Sequence, residues 1–246
     1  GFTNFSKNNL ISCQVGGFLL VGVISLFIWI KVSWNDKAAL ISPRLFKNIT
    51  FSMQLICYCF AKISTLALGF IFPIYIQIVN HGSASLAGWI MFPGAIIDAL
   101  IAGKVLDKKG PQLPILLGII ASLTSLFIMC LSSSLTNLGV MWLYALYYGG
   151  YGMCFSSLMT SGLTSLSEEN HAQGNAIFNT LQQFSGAVGT ALAGTLISIS
   201  QNNKSMPESI TTAEGARWTF IVLIILIISN LILALIFVPK NTNYNK

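Results

Sequence analysis

Met91-Phe-Pro-Gly-Ala-Ile-Ile-Asp98-Ala-Leu-Ile-Ala-Gly103-Lys-Val-Leu-Asp107-Lys108-Lys109-Gly110-Pro-Gln112 is the stretch that sets the class of this chain. It carries an apolar segment into a short basic turn, and a second apolar segment follows over residues 113–131. A helix needs about 20 apolar residues to cross a hydrocarbon core of about 30 Å. Glycines at 103 and 110 permit a close reversal of the chain. Asp107 can cap a helix or receive a charge-assisted bond, and the lysines keep the turn on the cytoplasmic side. The reading is two membrane-spanning helices joined by a tight inner loop.

The same pattern recurs along the chain. Apolar segments lie at 13–30, 51–79, 86–101, 113–131, 138–158, 176–199 and 218–238. Apolar residues make up 54% and charged residues 8%, against roughly 45–50% and about 25% in soluble domains. Of the 13 basic residues, Lys31, Lys37, Arg44, Lys47, Lys104, Lys108, Lys109, Lys240 and Lys246 fall in every second gap. Lys7, Lys204 and Arg217 fall in the others, and Lys62 sits inside a segment. Basic loops remain cytoplasmic, which predicts an external N-terminus, seven crossings and a cytoplasmic C-terminus. The odd count with an external start predicts further chain upstream. Trp34, Trp89, Trp142 and Trp218 mark membrane interfaces. The outer gaps at 80–85 and 132–137 are tight turns, and 201–216 is the sizeable polar outer loop.

These features narrow the function classes. No gap holds a soluble domain, so activity must reside within the helices. Neither His81 nor His171 opens an HExxH, no GxSxG occurs, and Gly103-Lys104 lacks the upstream glycine of a P-loop, so no enzyme signature is present. The net charge of +6 is spread through membrane-flanking loops, unlike a nucleic-acid footprint. The 5 cysteines lack CxxC spacing and a nearby histidine, so neither a metal site nor a redox pair is expected, and no cofactor. The expected partners are the bilayer and a small transported molecule, with transport as the activity.

Asp98 is flanked by apolar residues and lies about 7–8 Å inward from Gly103 along a helix. An acid there is costly unless it is paired, protonated or facing water, which makes function the default hypothesis. It suits proton exchange or attraction of a cationic substrate, and the alternative is a structural partner for a lysine. Lys62 lies on the order of 16 Å into the second segment. It can snorkel toward the cytoplasm, either alone or to meet Asp98, because segments two and three are expected to be antiparallel neighbours. Asn179, Gln182 and Gln183 share one helix face and either bind substrate or bond a neighbouring helix. Gly186, Thr190 and Gly194 recur every four residues, a spacing that lets another helix approach closely. Tyr147 and Tyr148, beside Gly149, Gly150 and Gly152, read as packing with the tyrosines as cavity lining.

The loop from Gly103 to Gly110 resembles the signature carried between the second and third helices of each half in the major facilitator superfamily. Three further stretches are similar to that family's fourteen-span drug:proton antiporter branch. They are Pro43-Arg-Leu-Phe-Lys-Asn-Ile-Thr-Phe51; Phe72-Pro-Ile-Tyr75-Ile-Gln77 with Gly88-Trp-Ile-Met-Phe-Pro93-Gly94; and Gly174-Asn-Ala-Ile-Phe-Asn179-Thr-Leu-Gln182-Gln-Phe-Ser-Gly186-Ala-Val-Gly189. The resemblance equates the seven segments with spans eight to fourteen. It implies an all-α polytopic membrane bundle, the C-terminal part of a major facilitator fold. Residues 1–50 would supply one span and a cytoplasmic linker, and 51–246 a six-helix transporter repeat. It further implies proton-coupled export of lipophilic or cationic drugs across the plasma membrane, driven by the proton gradient. Asp98 and Lys62 are then the proton or substrate candidates, with Gln77, Tyr75, Asn179 and Gln182 as weaker cavity candidates. Gly103, Asp107, Lys108 and Gly110 form the gating loop. Gln112 departs from the pattern, standing where the family usually has a second basic residue. An N-terminal half, with the antiporter motif of its fifth span, is expected as a partner. The alternatives are export of another small metabolite, a non-transporting membrane subunit, or a truncated fragment.

Overall fold

The structure, a computed structural model, describes residues 42–102, 111–132, 134–202 and 205–238. The segment expected at 13–30, the loop from 103 to 110 with its gating residues, and the C-terminal lysines lie outside the described residues. Six long helices follow one another: α1 (Ile49–Ile74), α2 (Ala84–Ala102), α3 (Gln112–Leu131), α4 (Asn137–Thr164), α5 (His171–Gln201) and α6 (Glu208–Phe237). Among the described residues no strand occurs.

Helix α1 forms because its buried positions repeat at helical spacing. Phe51, Leu55, Tyr58, Ala61, Leu68 and Phe72 all lie in the core. Asn48 caps it, accepting from the Phe51 N–H at 3.1 Å and donating to the Ser165 carbonyl at 2.7 Å, which ties the C-terminal end of α4 to its start. Pro73 lies inside α1, and the chain continues as a wider π turn over Tyr75–Val79. Proline supplies no N–H to the ladder, and a π turn is the usual local accommodation of a disturbed ladder.

The helices form two layers. In the front layer α2 packs on α4, α4 on α1, and α1 on α5; behind them α3 lies against α4 and α6, and α6 lies against α1 and α5. Helices α3 and α4 touch backbone to backbone, since a methyl group on Gly118 would strike the Gly150 carbonyl. Buried polar side chains bond within and between the layers: Gln54 Nε2 of α1 donates to Ser161 Oγ of α4 at 3.0 Å, and Asn230 Nδ2 of α6 to the Cys57 carbonyl of α1 at 3.1 Å. Bonds of this kind hold helices together where no water competes.

Four helical segments, Ile49–Val79, Ala84–Ile101, Gln112–Leu131 and Glu208–Phe237, are long and apolar enough to cross a membrane. With 28 and 31 residues, α4 and α5 have the length. Their glycine, serine, threonine and amide content makes them less apolar, and much of it is turned inward: Gly149, Gly152, Ser157, Ser161, Ser185 and Gly189 are buried. Trp89, Trp142 and Trp218 stand exposed on the outer surface, as interfacial residues do.

Two expectations are corrected. Segments two and three are joined by a tight turn, yet α2 packs mainly on α4 rather than on α1. The glycines of α4 explain it: a side chain at Gly149 would meet Ile97 at 3.0 Å, so the bare helix surface admits α2. The polar outer loop expected at 201–216 is largely helix, because α6 begins at Glu208. Its first turns carry buried Thr211 and Thr212, and Gln201 Nε2 donates to Thr212 Oγ1 at 2.8 Å, so the polar groups are satisfied within protein.

Candidate functional site

With α2 and α1 on either side of α4, the inward faces of these helices surround one stretch of α4. Along it Tyr144, Tyr148, Tyr151 and Phe155 succeed one another at helical spacing, with centroids 4.3, 5.9 and 4.7 Å apart. Tyr58 of α1 extends the row, stacking on Phe155 at 4.0 Å and meeting Phe178 of α5 edge-on at 4.8 Å. At the other end Phe72 meets Tyr144 at 5.5 Å. Aromatic pairs at these separations favour one another beyond simple burial, so the row is a continuous aromatic wall through the bundle.

Two charges set in apolar stretches of their helices, Asp98 and Lys62, face this wall. Asp98 of α2 abuts α4 at Gly152, where a methyl group would strike its carboxylate and come within 3.1 Å of its carbonyl oxygen. Only glycine leaves room for the acid there. Lys62 of α1 places its ammonium over the Phe155 ring, 5.5 Å from the centroid, within the range of a cation–π contact. Each is the other's Coulombic counterpart, but among the described residues they do not close to ion-pair distance. Both are half-buried. The structure thus brings Lys62 and Asp98 to one place, with an aromatic ring holding the cation.

The remaining candidates are distributed differently. Gln182 of α5 accepts from the Tyr58 hydroxyl at 2.7 Å and so joins the wall at its α5 end. Asn179 is exposed and bonds Asn175 of its own helix, at 3.0 Å to the carbonyl. Gln77 is exposed and donates to the Pro73 carbonyl at 2.9 Å, serving the disturbed helix ladder. The Tyr75 hydroxyl accepts from the Leu135 N–H at 3.1 Å, and Asn80 Nδ2 donates to the Leu135 carbonyl at 2.9 Å, so both secure the chain between α3 and α4. Gly186, Gly189 and Gly194 of α5 face Leu66, Ile63 and Phe70 of α1, closest at Gly189 against the Ile63 carbonyl. The Thr190 hydroxyl bonds back to Gly186 of its own helix at 3.2 Å.

Sequence reasoning singled out Asp98, Lys62, Tyr148 and Gln182 but missed Phe155, Tyr151, Tyr144 and Tyr58. A signal for three of these existed, because Tyr144, Tyr148, Tyr151 and Phe155 recur at intervals of four, three and four. Tyr58 carried none, as its place in the wall depends on how α1 meets α4. Among the described residues no group of three or more His, Cys, Asp or Glu side chains could hold a metal ion.

The sequence profile of the Major Facilitator Superfamily matches residues 11–190. The chain belongs to the major facilitator superfamily. This is a superfamily of membrane transporters, and the helical bundle is accordingly a multi-pass membrane structure. Relatives within the superfamily include a lincomycin resistance protein of Listeria monocytogenes, 30% identical over 214 residues, which cover 85% of this chain and 43% of the relative. A lincomycin resistance protein of Bacillus subtilis is 27% identical over 189 residues, 75% of this chain and 40% of the relative. A putative multidrug resistance protein of Escherichia coli is 26% identical over 242 residues, 94% of this chain and 50% of the relative. This major facilitator chain therefore spans half or less of the length of these relatives.

Proposed function

We propose that this chain is the C-terminal membrane portion of a drug-efflux transporter, exporting lipophilic or cationic compounds across the plasma membrane in exchange for protons. The observation that carries the reading is the meeting of Asp98 and Lys62 on an aromatic wall inside otherwise apolar helices. Intramembrane charges are costly and mark substrate or proton pathways, and aromatic surfaces accept lipophilic molecules of varied shape. The kinship to lincomycin and multidrug resistance proteins supports the same class.

In this reading Asp98 takes and releases the proton or attracts the cation, and Lys62 balances its charge. Gln182, which accepts from Tyr58 on the wall, is a secondary group of the pathway, whereas Asn179, Gln77 and Tyr75 bond elsewhere. Gly103, Asp107, Lys108 and Gly110 form the inner gating loop. The proton gradient is the energy source, the N-terminus is external and the C-terminus cytoplasmic. Binding sites of such transporters lie between two repeats near the midplane, so the chain acts together with a further transporter half.

The test is transport of a cationic dye by everted membrane vesicles containing the full-length protein. Dye accumulation is expected to collapse when the proton gradient is dissipated, and to be lost in Asp98→Asn at equal membrane insertion. Accumulation indifferent to the gradient would overturn the coupling, and full transport by Asp98→Asn would remove that residue from it.

A further inference from the structure

The aromatic wall holds Lys62 over a ring face, an arrangement that balancing the charge of Asp98 does not require. Lys62 is one of the few charges within the apolar helices, and its ammonium rests over the Phe155 ring at 5.5 Å rather than against Asp98. Phe155 is flanked by Tyr58 at 4.0 Å and Tyr151 at 4.7 Å. Tyr151 is 6% exposed, and among the described residues its hydroxyl has no hydrogen-bond partner. A buried polar group without a partner costs free energy, which an incoming acceptor would relieve. Asp98 packs its carboxylate against Gly152, the residue that follows Tyr151 in α4.

Taken together, these groups are complementary to a particular ligand chemistry. A ring face attracts a cation, a carboxylate nearby balances its charge, and a free hydroxyl donates to an oxygen acceptor. The chain already supplies one cation on a flexible four-carbon stem, which can withdraw toward the interface. We propose that Lys62 is a tethered competitor: its ammonium occupies an ammonium-binding site formed by Phe155, Asp98 and the Tyr151 hydroxyl, and a substrate ammonium displaces it. The ligand class of this site is a lipophilic monocation with an oxygen acceptor close to the charged nitrogen. The inference rests on the export reading above and narrows it to one substrate class at one set of residues. Lys62 is then a specificity determinant, because a cation binds only as well as it outcompetes the lysine.

The experiment is equilibrium dialysis with the purified full-length protein in detergent, without a gradient, using two radiolabelled cations. Tetraphenylphosphonium carries no oxygen, whereas benzoylcholine carries an ester beside its quaternary nitrogen. Removing the competitor in Lys62→Met is expected to tighten both by about tenfold, the size of a partly desolvated cation–π contact. Adding Phe155→Leu to Lys62→Met is expected to erase the gain. Tyr151→Phe is expected to weaken benzoylcholine and leave tetraphenylphosphonium unchanged. Lys62→Arg, whose guanidinium also rests on aromatic faces, keeps wild-type affinity. Where Lys62→Met does not fold, Lys62→Gln replaces it with the same expectation. Unchanged or weaker binding in the lysine variants, or a gain that survives Phe155→Leu, overturns the proposal. Because binding is read without transport, a protein that exports drugs but shows no gain loses only this site. One that shows the gain but exports nothing loses the export reading.

Discussion

Asp98 and Lys62 illustrate how a charge persists inside an apolar bundle. The carboxylate is admitted because Gly152 has no side chain, and the ammonium is held by a ring rather than by an ion pair. Truncating one partner of a buried, directly bonded pair costs about 3–5 kcal/mol. These two are half-buried and not in direct contact, so each single change is expected to cost less. Asp98→Asn leaves Lys62 without its counter-charge, and Lys62→Met leaves Asp98 without its own. The double variant is expected to recover part of the loss, with a coupling of about 0.5–1 kcal/mol. Melting temperatures of the four proteins in detergent measure it, and strict additivity would show that the two charges are independent.

Between helices, α5 lies close against α1. Its small residues were legible in the sequence as a repeat at 186, 190 and 194, but the closest approach is made at Gly189. A methyl group there would strike the Ile63 carbonyl, a backbone atom that cannot swing aside. At Gly194 the nearest atoms are the Phe70 ring at 3.4 Å, an ordinary contact distance. Gly189→Ala is therefore expected to cost about 1–3 kcal/mol by overpacking, and Gly194→Ala to be close to neutral. Thermal unfolding of the two variants side by side checks the contrast. Equal behaviour would mean that α5 does not rest on α1 through this glycine.

Across the whole molecule, the alternation of basic gaps and the two-layer packing describe one membrane-embedded body. Lys104, Lys108 and Lys109 lie in one interhelical connection, and the connection between α5 and α6 lies at the opposite end of these helices. A membrane-impermeant thiol reagent is expected to label a cysteine introduced at Ser205 in intact cells and to spare one introduced at Lys108. The reverse pattern would invert the topology. Much of the outer surface is apolar: Trp89 is 71% exposed, and most of α2 is uncovered by the rest of the protein. Lipid or protein must cover such a face, since water would not.

The all-α membrane class and the apolar segments that became α1, α2 and α3 were readable from one dimension, and the sequence also marked Asp98 and Lys62 as candidates. Apolar length, basic asymmetry and the cost of an intramembrane charge are properties of the chain and its solvent rather than of its fold. The start of α6 was misread because polarity along the chain does not reveal that Thr211 and Thr212 are satisfied inside the protein. The partner of α2 was misread because a tight turn fixes direction but not lateral packing, which the bare glycine face of α4 settles. The aromatic wall, with Lys62 over Phe155 and Tyr58 closing the row, needed three helices brought together. Residues far apart in sequence acquire a shared chemistry only when packing sets the distances between them.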